Sequence, residues 1–204
     1  IVHDDELLPH FSQELKPYIV PLRIEPERFT PEYPDPAKGK VTIVHAPSNR
    51  GVKGTKYIHS AVENLKKKYD IEYILVENMT QNEAFKEYQK ADIIVDQILG
   101  GSYGVFSIEA MAMGKPVITY ITDEMIKTFP DELPIVSASP LNIQEEIEKL
   151  INDGQIRHDL GVKGRKYIET YHDCKKNAKV IAKIYEGTAN KTKGKDAFEE
   201  VKEL

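Results

Sequence analysis

Gly100–Tyr120, GGSYGVFSIEAMAMGKPVITY, decides how the rest of this sequence is read. Gly100, Gly101 and Gly104 allow a sharp turn and a close approach of backbone to a ligand. A short helix of small and flexible apolar residues follows, Val105 to Met113, with Gly114 as its stop and Pro116 barring continuation. From Pro116 to Tyr120 the chain is apolar and β-branched, which suits a strand buried on both faces. A glycine loop that opens a helix presents free N–H groups at the positive end of the helix dipole, a ready site for phosphate.

Glu109 stands out in that helix, flanked by Ile108, Ala110, Met111, Ala112 and Met113. A carboxylate accepts from two hydroxyls at once and so suits the vicinal diol of a ribose or sugar. It repels a diphosphate. The plainer alternative is an acid near a helix N-terminus, favoured by the dipole.

Outward from this stretch, strands and helices alternate. Val41–Ala46 (VTIVHA), Glu72–Glu77 (EYILVE), Asp92–Gln97 (DIIVDQ), Pro116–Tyr120 and Pro134–Ala138 read as strands. Tyr57–Tyr69, Gln81–Lys90, Asn142–Asn152, Gln155–Tyr171 and Asp173–Glu186 read as helices, with apolar residues at helical spacing. Five strands alternating with helices predict an α/β, Rossmann-like, doubly wound and mostly parallel sheet with helices on both faces. Ligands of such sheets bind beyond the carboxyl ends of the strands. His45, Asp96 and Gln97 fall at those ends. His45 can donate to a phosphate or sugar oxygen or simply close its strand. Asp96 and Gln97 are placed either to reach a donor sugar or merely to end a strand. Pro47–Thr55 reads as a loop, neither a Walker A sequence nor G-x-G-x-x-G, in which Lys53 by itself is a solvated charge. His158 and His172 have no partner at metal-ligand spacing and read as structural.

GSYGVFSIEAMAMGKPVI resembles the donor-site signature of retaining glycosyltransferases of the GT-B fold, family-4 type (glycosyltransferase group 1), whose usual pattern is E-G-F-G-x-x-x-x-E-A-M-A-x-G-x-P-V-I. The resemblance spans Val41 to Gly187 and identifies the chain with the C-terminal, nucleotide-sugar-binding half of that fold. It implies that Glu109 holds the donor ribose and that Lys53, in Lys53-Gly54, lies on the donor diphosphate as the catalytic residue. Ser102, Tyr103, Gly104 and Val105 become donor contacts, and Gln97 and His45 join them only by their place at the strand ends. Arg50 stands near the family's arginine without sharing its register. The pattern's first glutamate falls on Gly101, a departure that bears on how the sugar is handled. The turn Glu77–Thr80 is where such a fold meets the base. No cofactor or metal is implied, a UDP- or GDP-sugar being the substrate. The partner would be an acceptor glycan, lipid or protein held by an N-terminal domain that these residues do not contain. The alternatives are a non-catalytic nucleotide-sugar-binding subunit or sensor, and a sugar-nucleotide epimerase.

The 204 residues are 40% hydrophobic and 30% charged, as expected of a globular chain, and the formal net charge of -5 gives no nucleic-acid surface. No apolar run reaches the ~20 residues of a membrane span, which leaves peripheral membrane contact open. Cys174 is the only cysteine, so a reducing cytoplasm is the simplest setting. Ile1 in place of an initiator methionine is expected of a fragment. Residues 1–36, with seven prolines, read as an interdomain linker, 37–187 as the donor-binding domain, and 188–204 as a polar, mobile tail.

Overall fold

The structure is a computed structural model that describes residues 1–11, 17–189 and 192–204. Five strands form one sheet: β1 (Val41–His45), β2 (Ile71–Leu75), β3 (Ile93–Val95), β4 (Val117–Thr119) and β5 (Ile135–Ser137). Every pairing is parallel, in the order β2-β1-β3-β4-β5. β1, β3 and β4 are buried along their whole length. That is why their sequences are continuous apolar runs and not alternating ones. The chain leaves β1 toward β2 and then returns to the other side of β1 to make β3. The switch point of the topology therefore lies between β1 and β3.

Helices cover both faces. α2 (Thr55–Leu65) and α6 (Ile143–Asn152) share one core, in which Ile58, Val62 and Leu65 meet Ile43, Ile93, Ile147 and Leu150. α3 (Gln81–Gln89), α4 (Val105–Ala112) and α7 (Gly154–Tyr171) cover the other face, where Tyr88, Ile108, Met111 and Ile168 pack against Val44, Ile94 and Val117. α4 stops where expected: Gly114 has φ +75. α7 approaches α4 closely through glycine, since a Cβ on Gly161 would lie 2.2 Å from the Gly114 carbonyl oxygen.

Two short helices stand outside the elements expected from the sequence. α1 (Arg50–Lys53) forms because the Asn49 side chain accepts from the Gly51 and Val52 N–H groups. Thr122 does the same for α5 (Asp123–Ile126) through the Met125 N–H.

The described part of segment 1–36 is tied down. The Ile24 N–H donates to the His172 carbonyl (2.9 Å), and Cys174, which opens α8 (Cys174–Tyr185), donates back to the Ile24 carbonyl (2.8 Å). The Arg165 Nη1 reaches the carbonyls of Pro26, Phe29 and Ala112 at 3.0, 2.7 and 2.8 Å. The last of these is the C-terminal end of α4, where a cation is favoured by the dipole. The polar tail expected over 188–204 contains α9 (Lys195–Lys202), with Ala197, Phe198 and Val201 buried. Those three lie on one helical face, and Phe198 meets Phe129, Tyr171 and His172 edge-on. A composition dominated by lysine and glutamate hides such a narrow stripe. Residues 12–16 of the expected linker and 190–191 of the expected tail lie outside the described residues.

Candidate functional site

The carboxyl ends of β1 and β3 are joined by side chains across the switch point. Asp96, directly after β3, is fully buried, and its Oδ1 takes the Lys53 ammonium at 2.7 Å from the end of α1. Its Oδ2 accepts from the Ser107 hydroxyl, in the first turn of α4, at 2.8 Å. One carboxylate thus links α1, β3 and α4. The backbone repeats the joint, because the Ile98 N–H donates to the Lys53 carbonyl (3.2 Å). Gly54 makes the approach possible. Its φ is +77, and a Cβ there would meet Ile98 Cγ1 at 2.6 Å. Lys53 is 14% exposed, so its charge is turned inward on Asp96. The solvated lysine that the sequence alone suggests is replaced by one paired with a buried carboxylate.

The glycine loop runs from Gly100 into α4. The Gln97 Nε2 donates to the Ser102 carbonyl at 2.5 Å, and the Thr122 N–H donates to the Gly101 carbonyl at 3.0 Å. Gly104 is the N-cap of α4 and brings no side chain to its free amides, which leaves them available to an anion. Val105, the first helical residue, is half exposed.

Glu109 lies one turn further along α4, half-buried. Burial raises its pKa above the ordinary carboxylate value, with the Arg28 charge opposing. Among the described residues its carboxylate has no hydrogen bond or ion pair.

Arg50 turns toward the carboxyl side of β2. Its guanidinium forks onto Glu77, at the end of β2, with Nε–Oε1 2.7 Å and a second bond from Nη2 to Oε2. Arg50 also lines a cavity of ≈ 560 Å³ with Gly51, Thr55, Tyr57, Leu75 and Leu99. A second cavity, ≈ 470 Å³, lies between α7 and residues 131–134, away from the residues expected to bind a donor.

Three of the expected donor contacts turn inward. His45 is fully buried. Its Nδ1 faces the Val95 carbonyl and its Nε2 the Thr55 hydroxyl, both at 2.8 Å. A carbonyl can only accept, so Nδ1 carries the proton and Nε2 takes the threonine proton. Burial pushes its pKa down. Ser102 is buried and donates to the Asp4 carboxylate at 3.2 Å. Tyr103 is buried, its hydroxyl between His172 Nε2 (3.1 Å) and the Tyr167 hydroxyl (3.3 Å). Asp96, placed by the sequence either to reach a sugar or merely to end its strand, is sealed with both oxygens engaged. His158 and His172 are structural, as expected: their Nδ1 atoms meet the Pro34 and Leu22 carbonyls. The structure therefore brings together Lys53, Gln97, Gly104 and Val105 at the crevice, with Glu109 behind them and Arg50 at its β2 rim.

No family model matches the chain, and no curated protein sequence matches it either. Solved structures do. Sucrose-phosphate synthase from Thermosynechococcus elongatus superposes with a TM-score of 0.66 at 16% identity, over 91% of this chain and 57% of that one. The C-terminal domain of a glycosyl transferase group 1 family protein, LpcC from Francisella tularensis, gives 0.56 at 20% identity, over 74% of this chain and 99% of that one. The chain has the fold of the C-terminal half of a GT-B glycosyltransferase. HepE from Anabaena, solved with UDP, gives 0.66 at 11% identity over 89% of this chain and 60% of its own. The chain thus spans about 57–60% of the length of the synthase and of HepE. No helix of the described residues is long and apolar enough to cross a membrane.

Proposed function

We propose that this chain binds a nucleotide-sugar in the crevice between β1 and β3, as the donor half of a glycosyltransferase acting with retention and without a metal. The observation that carries this reading is Glu109. A half-buried carboxylate with no hydrogen-bond or ion-pair partner among the described residues, on a helix whose glycine N-cap leaves its amides free, is the arrangement that a ribose diol followed by a diphosphate would complete. Two hydroxyl donors would compensate the desolvation that raises its pKa. The α4 amides and Lys53 would carry the charge that develops on the leaving diphosphate, so no metal and no cofactor is invoked. Retention rests on the resemblance of the Gly104–Ile118 motif. The acceptor, a glycan, lipid or protein, would be held by a facing domain outside these residues, and the setting would be the cytoplasm.

One observation favours a second reading, a non-catalytic nucleotide-sugar-binding subunit. Where the family motif has its first glutamate this chain has Gly101, and a Cβ there would lie 3.0 Å from Thr122 Cγ2. The carboxylate of the family motif is absent, and a side chain in its place would press on Thr122.

The test is a thermal-shift panel of UDP-, GDP-, ADP- and dTDP-sugars followed by titration. One nucleotide should raise Tm by mass action. For these 204 residues tested by themselves, Kd should be on the order of 0.1–1 mM, about 4–5.5 kcal/mol of binding free energy. No nucleotide response at millimolar ligand would overturn the reading.

A further inference from the structure

We propose that Asp96 is a positioning residue that seats the Lys53 ammonium beside the first turn of α4, so that lysine and helix amides act on one phosphate. The inference rests on the nucleotide reading of the crevice. Lys53 sits on a one-turn helix, and a lysine there has four rotatable bonds and no intrinsic reason to stay in the crevice. What fixes it is the buried carboxylate, which takes Nζ at 2.7 Å on one oxygen and Ser107 of α4 at 2.8 Å on the other. The ammonium and the start of α4 are therefore two hydrogen bonds apart, through one rigid carboxylate group. An ammonium has three donors, and Asp96 uses one.

Asp96 is not placed to touch a ligand. It is fully buried, whereas Lys53 retains some exposure. Its effect must pass through Lys53, and charge and geometry then act in opposite directions. As a charge, Asp96 cancels Lys53 and weakens anion binding. As a seat, it strengthens binding by holding the lysine in reach.

Asp96→Asn separates the two effects, because it keeps the shape and makes the crevice one unit more positive. The full chain is titrated with UDP, GDP, ADP and dTDP, and the tightest is compared with its own nucleoside. The seat predicts that the Asp96→Asn diphosphate affinity falls about tenfold or more, the effect of one charge-assisted hydrogen bond, while nucleoside affinity changes less than about twofold. Ser107→Ala, which alters no charge, should shift the diphosphate in the same direction by a smaller factor, and it decides the matter if Asp96→Asn does not fold. Tighter or unchanged diphosphate binding in Asp96→Asn overturns the inference, and so does an equal loss for nucleoside and diphosphate, the mark of a merely loosened fold. A wild-type chain that binds no nucleoside diphosphate overturns the nucleotide reading itself. Wild-type binding that Asp96→Asn leaves intact overturns this inference alone.

Discussion

Lowering the pH from 7 to 4 should unfasten the glycine loop from the helical layer behind it, through one histidine. His172 is 1% exposed. Its Nδ1 donates to the Leu22 carbonyl at 2.5 Å, so its Nε2 is bare and accepts from the Tyr103 hydroxyl at 3.1 Å. Burial pushes its pKa from 6.5 down to about 4. The folded state thus refuses a proton that the unfolded chain accepts. This stability is fully present above pH 6.5, drains as the pH falls, and is gone near pH 4. At 1.36 kcal/mol per pKa unit, the shift corresponds to about 3 kcal/mol, a sizeable share of the stability of a domain. Tyr103 and Tyr167 have raised pKa values and stay neutral across the window. The carboxylates that also titrate there cancel in a comparison with His172→Gln. Glutamine can serve both hydrogen bonds without titrating. Urea unfolding, followed by circular dichroism at pH 7, 6, 5 and 4, measures both proteins. The wild-type advantage should shrink by about 3 kcal/mol between pH 7 and 4, most of it below pH 6.5. A difference that stays flat with pH refutes the reasoning, since the ring would then not be held neutral by burial.

Three further outcomes are expected. Glu109→Gln should cost about tenfold or more in nucleotide affinity with little change in Tm, because it removes a free acceptor and not a packing contact; unchanged affinity in isothermal titration would make Glu109 an ordinary dipole-favoured acid. Lys53→Met should lose about 3–5 kcal/mol of stability by stranding the Asp96 carboxylate, and Lys53→Met with Asp96→Leu should recover most of it; additive losses in denaturant would mean that the pair is uncoupled. Gly161→Ala should destabilise by more than about 2 kcal/mol, because its Cβ would lie 2.2 Å from the Gly114 carbonyl oxygen; a change below about 0.5 kcal/mol would show that α7 can slide.

The sheet and most helices were legible because their signals are local. Apolar runs marked the strands, and Gly114 marked the end of α4. α1 and α5 were missed because a single capping side chain makes one turn out of a loop. α9 was missed because three buried residues among lysines and glutamates do not shift the composition. The site divided along the same line. Glu109 was visible as a carboxylate in an apolar helix. The fates of Lys53 and Tyr103 were not, because their partners lie 43 and 69 residues away, and nothing nearby in the chain announces Asp96 or His172. His45, at a strand end, read either as a ligand or as a local cap, and Thr55, ten residues on, satisfies it as a cap.

Arg165 ties the carbonyls of Pro26 and Phe29 to that of Ala112, and this has a mechanical consequence. The segment that leads into the domain and the helix that carries Glu109 share one fastener. Tension or fraying in the lead-in therefore loads the far end of α4 directly, without passing through the sheet. The two should open as one cooperative unit, losing amide-exchange protection together while β1 and β3 keep theirs. Whatever pulls on the chain ahead of Pro26 thereby has a handle on the carboxylate at the crevice.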